Sequence, residues 1–434
     1  MSRDIAIDTL IHAEEKRQAE TFTLIPSENH VSRQVLDALG SVFTDKYSEG
    51  YPRKRYYAGQ ENTDKVEDLA IERAKQLFGC DHANVQSHSG AQANEAVYHA
   101  WLDPGDTVLA MNLGHGGHLT HGHPVTVLAR QYNFVRYGMK DIDTGEIDYD
   151  QLHAMAKTHK PKIILAGFSA YPRELDYAKF AEIGKETGAV LMADMAHISG
   201  LIAGKALANP FDYGFHVMTT TTHKVLRGPR GGMILSNGIV SNPLKKPNKS
   251  VDNLPTIIDR TVFPGVQGGP QMHSIAAKAV TFHEALTPEY QAYARQVIAN
   301  AKRLATELDS RGFKMVTGGT DNHLILLNVK QSFDIDGNEA EKAMERTGLI
   351  MNKNAVPDDP LPPFRPSGLR LGTPAITTRG MKEDDMAQIA EWMHSAMKSG
   401  KDEKKLDSLR AEVLAETKKF ALPSAAYFCS SSNS

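Results

Sequence analysis

Cysteine is nearly absent from the sequence: Cys80 and Cys429 are the only two among 434 residues. Two such distant thiols make no disulfide framework, which excludes the small stapled secreted folds and fits a reducing compartment. Long apolar runs are missing too, and nothing approaches the roughly 20 residues that a membrane-crossing helix needs. Neither sign of charge is in excess. Lys and Arg number 49, Asp and Glu 52, for a net charge of −3, so there is no broad basic field to hold nucleic acid or an anionic membrane. The opening MSRDIAIDTLIHAEEKRQAE is charged, with no secretory apolar core. No internal repeat is present. These absences lead to the expectation of a cytoplasmic protein. The rest of the composition, 41% hydrophobic and 23% charged, is ordinary for a globular chain, and this length predicts two domains with a terminal arm. A scaffold without chemistry survives composition and is removed only by motifs.

Residues 1–20 carry Ile5, Leu10, Ile11 and Ala13 on a loose helical stripe, an arm that needs a partner surface. After the polar loop Ser27-Glu28-Asn29 comes a stretch with Tyr47, Tyr51, Tyr56 and Tyr57, with Glu49 and with Arg53-Lys54-Arg55. Loops of this kind carry function, and tyrosine is equally at home in an oligomer contact. A helix follows, with Asn62 or Thr63 as its expected cap and Gly79 as its stop. From Ala83 onward strand and helix alternate: ANVQ, TVLAMN, KIILAGF, AVLMADM and HVMTTTT are the strands, and GGMILS is an antiparallel one. This pattern predicts an α/β fold, with a mainly parallel, doubly wound sheet in a large domain and a smaller C-terminal α+β domain. The expected boundaries are an arm at 1–20, a large domain at 21–280, a small domain at 281–420 and a disordered, serine-rich tail at 421–434. The stretch NPLKKPNKSVDN reads as a solvated loop.

Ligands of doubly wound sheets bind beyond the carboxyl ends of the strands. Ser169, Asp194, His197 and Lys224 all fall at or just past such ends. A lysine in TTTTHK is costly unless exposed, paired or chemically used, and burial makes its neutral amine a Schiff-base nucleophile. An aspartate at a neighbouring strand end suits a protonated pyridine nitrogen. Together they match what pyridoxal phosphate requires of a protein. Ser89-Gly90-Ala91 opens a helix, where free N–H groups favour a phosphate. The glycines Gly268 and Gly269 can offer N–H groups to an anion, and Arg370 can take a carboxylate through two parallel hydrogen bonds. His115, His118, His121 and His123 invite a metal. No cysteine or carboxylate joins them and the glycines imply a loop, so the expectation is no metal, one histidine flat against an aromatic cofactor and the others structural.

The motifs LIPSEN, YSEGYPRKRYY, SGAQAN, HGGHLTHG, GFSAYPRELD, DMAHISG, TTTTHK, QGGP, NKNAVP and SGLRLGTPA occur in order from Leu24 into the second domain. In them the chain resembles the serine hydroxymethyltransferase family. The resemblance implies the fold of the aspartate aminotransferase type, fold type I of the pyridoxal-phosphate transferases, and a homodimer whose sites are shared across the interface. It implies Lys224 as the Schiff-base lysine, Asp194 on the pyridine nitrogen, His118 stacked on the ring, and Ser169 and His197 near the ring hydroxyl. Ser89, Gly90, Ala91 and His223 would serve the phosphate, with Tyr47, Gly268 and Gly269 reaching it from the other subunit. Ser27, Tyr57 and Arg370 would hold the amino acid, Glu49 would handle protons at the hydroxymethyl group, and Thr221 is the threonine linked to exchange of lysine for substrate. Leu113, Gly117, His118, Leu119, Tyr56, Asn354, Pro362, Pro363 and Phe364 would line a folate site. Ala91 stands where a second serine is more usual, and Pro362 removes an N–H donor from the folate loop.

The implied activity is reversible transfer of the serine hydroxymethyl carbon to tetrahydrofolate, giving glycine and 5,10-methylenetetrahydrofolate in one-carbon metabolism. Two alternatives share the fold: a folate-independent aldolase for β-hydroxy amino acids, and a hydroxymethyltransferase preferring an α-methylated substrate. A non-catalytic binding protein is the rival of another class, and the presence of Lys224, Asp194 and Arg370 together argues against it.

Overall fold

A computed structural model describes residues 3–238, 254–400 and 402–424. The lysine-rich loop expectation (242–253) lies outside the described residues, as do residues 425–434 of the expected serine-rich tail, with Cys429. The chain forms two compact units, Val31–Arg295 and a second assembled from Met1–His30 with Gln296–Ser434.

The first unit is built on seven strands: β1 His82–Asn84, β2 Thr107–Met111, β3 Asn133–Tyr137, β4 Ile163–Gly167, β5 Val190–Asp194, β6 Val217–Thr221 and β7 Gly232–Ser236. Their order is β1-β7-β6-β5-β4-β2-β3. Strands β2 to β6 run parallel, and β7 is antiparallel to β6 and β1, as GGMILS predicted. The fold class is therefore the expected doubly wound α/β. Both sheet faces are covered, which is why the central strands are continuous apolar runs. On one face Val108, Ala110, Ile163, Leu165, Val190, Met192, Val217 and Ile234 share a core with Ala93, Val97 and Trp101 of helix Gly90–Trp101. On the other, helix Tyr177–Thr187 approaches so closely that a Cβ on Gly184 would lie 2.6 Å from Leu191 Cδ2. That helix starts on the Asp176 cap and ends at Gly188, whose φ of 71° is left-handed.

Strand β3 was not anticipated. It is the sheet edge, with Asn133 exposed and Val135 and Arg136 half-buried, so no continuous apolar run marks it. The helix after the tyrosine loop, Glu61–Phe78, is capped at Gln60 rather than at Asn62 or Thr63, and Gly79 closes it as expected.

In the second unit Leu324–Asn328, Gly368–Gly372 and Asn352–Asn354 form an antiparallel sheet with Gly368–Gly372 in the middle. Its core joins Ile325, Leu327, Leu369 and Leu371 to Ile389, Trp392 and Met393 of helix Glu383–Ser399, and to Phe22 and Leu24 from the chain's start. Phe22–Thr23 pairs in parallel with Leu349–Ile350. Arg379 fastens this segment by donating to the carbonyls of Thr21 (2.5 Å), Ala19 (3.2 Å) and Phe420 (2.6 Å). Helix Ile5–Ala19 itself buries nothing within this chain, and Ile5 and Leu10 are 72% and 66% exposed.

Phe180 is fully buried at the centre of an aromatic cluster with Tyr137 (5.8 Å), Tyr149 (5.6 Å) and Phe215 (6.4 Å between centroids). Phe180→Ala is expected to cost about 3–5 kcal/mol, read as a lower midpoint in urea unfolding; a shift of under about 1 kcal/mol would refute this packing account.

Candidate active site

Gly167 and Asp194 end β4 and β5 side by side, and Thr219, in the middle of β6, is the register partner of Asp194 on its other side. Glycine is required at 167, because a Cβ there would run into the carbonyl of Asp194. The Asp194 carboxylate is buried at this point and fully engaged by the protein on one side. Oδ2 accepts from Asn94 Nδ2 (2.8 Å) and from His121 Nε2 (2.9 Å), and Oδ1 accepts from the Ala196 N–H (3.1 Å). His121 Nδ1 accepts the backbone N–H of His118 (3.0 Å), so the ring's proton is on Nε2, facing the aspartate. Asn94 is oriented in turn by Thr219, whose hydroxyl donates to Oδ1 (2.6 Å), and by its own second donation to Thr120 Oγ1 (2.8 Å). Burial pushes the Asp194 carboxyl up, but the hydrogen bonds from His121 and the Asn94 amide outweigh it, and the group is held well below the usual carboxylate range.

The threonine run is a set of anchors. Thr221 donates to the Ala196 carbonyl (3.1 Å) and Thr222 to the Pro229 carbonyl (2.7 Å). These bonds fix the loop that carries His223 and Lys224. The far side of the loop is held by Tyr290 and Tyr293, which both donate to the Val225 carbonyl (3.0 and 3.3 Å), while Arg227 lies over the Tyr293 ring at 4.2 Å. Burial, and then the charges of Arg230 and Lys224, lower the His223 imidazole to about 3. Its Nδ1 accepts from the Gly231 N–H (3.5 Å), which leaves Nε2 as the proton-bearing nitrogen. Ser169 donates to the Gly117 carbonyl (2.8 Å), and His197 is buried. His118 Nδ1 accepts from the Thr120 N–H (3.2 Å), which fixes its ring over the loop.

Ser89 caps helix Gly90–Trp101, its hydroxyl accepting from Gln92 N–H (3.3 Å), and Gly90 and Ala91 begin the helix with N–H groups that have no intrahelical partner. Gly90 admits no side chain, since a Cβ would lie 2.7 Å from Thr221 Cγ2. The turn before this helix is joined to the QGGP segment: Gln267 accepts from the His88 N–H (3.0 Å) and donates to the Gln86 carbonyl (2.9 Å).

A second cluster gathers Glu49 with Tyr47 and Tyr57, which donate to its carboxylate at 3.2 and 3.5 Å. The backbones of Gly268 and Gly269 border it, at 3.7 Å from Glu49 Oε1 and 3.4 Å from Tyr47 Cζ for a Cβ built on each. The Glu49 charge raises the Tyr47 phenol. The cluster is open to solvent, with Tyr47, Tyr56 and Tyr57 at 57%, 73% and 48% exposure. Its loop is pinned from beneath by Arg55, buried, which bonds Glu67 (2.5 Å), Asp64 (2.9 Å) and the carbonyls of Ser48 and Gly50. Arg55 is thus an internal tie of the loop, and Arg53 pairs with Asp68 at the surface.

The remaining site expectations are more scattered. Leu113 opens a short helical turn capped by Asn112, and Gly117 is packed against the Met111 carbonyl. Leu119 is 44% exposed. In the second unit, Arg370 is held by Asn352 Oδ1 (3.3 Å from Nε) and lowered to about 10 by burial, Asn354 donates to the Ala355 carbonyl (2.7 Å), and Ser27 is half-buried. Pro362 and Pro363 are exposed, the Pro362 carbonyl accepts from Arg365 (2.9 Å), and Phe364 is 71% exposed. Among the described residues no group of three His, Cys, Asp or Glu side chains is placed to hold a metal ion, and no helix is long and apolar enough to cross a membrane. His121, Asn94 and Thr219 were missed in the sequence. His121 stood in a row of four histidines, and nothing in that row distinguishes the one that meets an aspartate 73 residues away.

A doubly wound sheet that carries an anchored carboxylate, a lysine loop and a helix N-terminus at or past its strand ends is of the α/β class that binds its ligands there. The sequence-family model for serine hydroxymethyltransferase matches residues 1–393. A serine hydroxymethyltransferase of Phenylobacterium zucineum (strain HLK1) is 53% identical over 425 residues, covering 97% of this chain and 95% of the relative. The chain belongs to the serine hydroxymethyltransferase family, and its function is serine–glycine interconversion with tetrahydrofolate.

The folded-state pKa of Asp194 lies below its unfolded value, so its contribution to stability is full above about pH 5 and is lost as pH falls through and below the unfolded value. Asp194→Asn lacks this contribution. Between about pH 6 and about pH 3 the unsubstituted protein should therefore lose about 1 kcal/mol more than the variant in urea unfolding; equal losses would refute the anchored-anion account.

Proposed function

We propose that the chain works as a pyridoxal-phosphate-dependent enzyme with Lys224 as the covalent attachment point, and that the anchored anion of Asp194 is the observation that carries this reading. A carboxylate has about four lone-pair positions, and the protein fills three on Asp194. The fourth suits a ring N–H, and a carboxylate held ionised by its surroundings keeps such a nitrogen protonated. The residues present also fit the group's phosphate: the Ser89 cap, the Gly90 and Ala91 N–H groups at a helix start, and a cradle at Gly90 that a Cβ would fill. Bound there, pyridoxal phosphate supplies an electron sink for the pair left on the amino acid's Cα.

The chain's own groups do the rest. Lys224 holds and releases the substrate amine's place, with Thr221 anchoring its loop. His118 covers the ring, Ser169 and His197 hydrogen-bond near its hydroxyl, and His223, neutral, offers Nε2–H to the phosphate. Arg370 takes the amino acid's carboxylate, with Ser27 and Tyr57 completing the grip. Glu49 moves the proton at the serine hydroxyl and the one-carbon unit. Leu113, Gly117, Leu119, Tyr56, Asn354, Pro362, Pro363 and Phe364 line the tetrahydrofolate site. The solvent-exposed Tyr47 and Gly268 and the half-buried Gly269 serve the site of a second copy, so the working form is a homodimer, and the apolar stripe of Ile5–Ala19 lies on that partner. The location is the cytoplasm.

The test is an absorbance spectrum of the purified protein titrated with glycine and then with tetrahydrofolate. A visible cofactor band that gives way to an intense red-shifted band only with both ligands is the expected result. A spectrum indifferent to tetrahydrofolate would move the chain to folate-independent aldol cleavage, and a colourless protein that cannot be reconstituted would overturn the cofactor reading. Lys224→Ala is expected to lose the visible band of the free enzyme and multiple turnover; repeated turnover at the normal rate would refute its role.

A further inference from the structure

Lys278 is a buried cation that none of the steps above uses. It lies on helix Met272–Ala285 and is 1% exposed. Its ammonium donates to three backbone carbonyls: Val85 (2.6 Å), Gly232 (2.7 Å) and Ser87 (3.1 Å). Three acceptors need three N–H donors, which only the protonated amine has. Burial lowers the group to about 7, and the charge of Glu67 opposes that shift. Glu67 is itself committed to Arg55 and to Gln86 (2.7 Å).

The carbonyls it binds belong to the two segments that face the candidate phosphate position. Ser87 leads directly into Ser89-Gly90-Ala91, and Gly232, which also donates to Ser87 (2.9 Å), packs against the Ser89 carbonyl. The neighbouring Gly231 passes so close that a Cβ there would lie 2.6 Å from Lys278 Cε. Gly231 in turn donates to His223. The charge reaches both sides, since it contributes to lowering His88 and His223. A fixed cation in a low-dielectric interior acts over several ångströms with little screening.

We propose that Lys278 is a positioning residue that holds the Ser87–Gly90 turn and the Gly231–Gly232 strand start together, and that its buried charge strengthens binding of the dianionic phosphate group at that turn. This rests on the reading of the turn as the cofactor's phosphate site. A role elsewhere in the fold would affect phosphorylated and unphosphorylated ligands alike, whereas a tie and a charge at this turn act on the phosphate.

The experiment resolves the holoenzyme to its cofactor-free form and titrates it by absorbance with pyridoxal 5′-phosphate and, separately, with pyridoxal. Lys278→Met is expected to reduce the preference for the phosphorylated ligand by about tenfold or more, with pyridoxal affinity little changed. Lys278→Arg, which keeps the charge, should retain the preference to within about threefold. Equal weakening of both ligands in Lys278→Met, or an unchanged preference, overturns the proposal. Should Lys278→Met fail to fold, a folded Lys278→Arg decides: retained preference supports the role and lost preference overturns it. An unsubstituted protein that does not distinguish the two ligands would instead refute the phosphate-site reading, and the proposal with it.

Discussion

Asp194 must remain ionised although it is buried, and much of the first unit is arranged around that constraint. A lone carboxylate in an apolar interior neutralises itself by binding a proton. Here the end of β5 receives a histidine from one loop, an asparagine from the first turns of helix Gly90–Trp101 and a backbone N–H from its own turn. The asparagine is oriented by Thr219 of β6 and by Thr120. One charge thus ties together β5, β6, the histidine loop and helix Gly90–Trp101. The packing of these elements is both the condition for the charge and its consequence.

The same logic recurs with the signs reversed. Arg55 and Lys278 are cations taken out of water, one answered by Glu67 and Asp64 and the other by three carbonyls. Arg55 ties the tyrosine loop to helix Glu61–Phe78, and Lys278 ties the Val85–Ser87 segment that follows β1 to the start of β7. Such buried ions are weak net stabilisers, because desolvation offsets most of their attraction. Their effect is on geometry. A polar group that is satisfied in only one arrangement specifies that arrangement, and the segments so specified are those that carry Glu49, Ser89 and His223. Helix Ile5–Ala19 follows the opposite rule: its apolar positions are exposed in this chain, and Asp4 caps its start.

Much of the sheet was legible in the sequence because buried parallel strands are continuous apolar runs ended by glycine or polar residues. Ile163–Gly167, Val190–Asp194 and Val217–Thr221 declare themselves in this way, as does helix Tyr177–Thr187 between an aspartate cap and Gly188. Strand Asn133–Tyr137 did not, because an edge strand alternates with solvent-facing polar positions and loses the apolar signal. The helix cap at Gln60 was displaced from the better capping types nearby, since Gln60 is held by its bonds to the carbonyls of Tyr47 and Ala58 (2.9 and 3.3 Å).

Local sequence determined which residues could do chemistry: a lysine after four threonines, an aspartate at a strand end, a serine and glycine opening a helix. Their types and their spacing relative to strand ends follow from periodicity, which is a property of neighbours in the chain. Tertiary structure alone decided which of four histidines meets Asp194, that Lys278 is buried behind the Ser87–Gly90 turn, and that Arg55 is an internal tie rather than a surface charge. Each of these depends on a partner between 12 and 193 residues away. Desolvation and hydrogen-bond satisfaction act only once folding has brought such groups together, so no local pattern carries them.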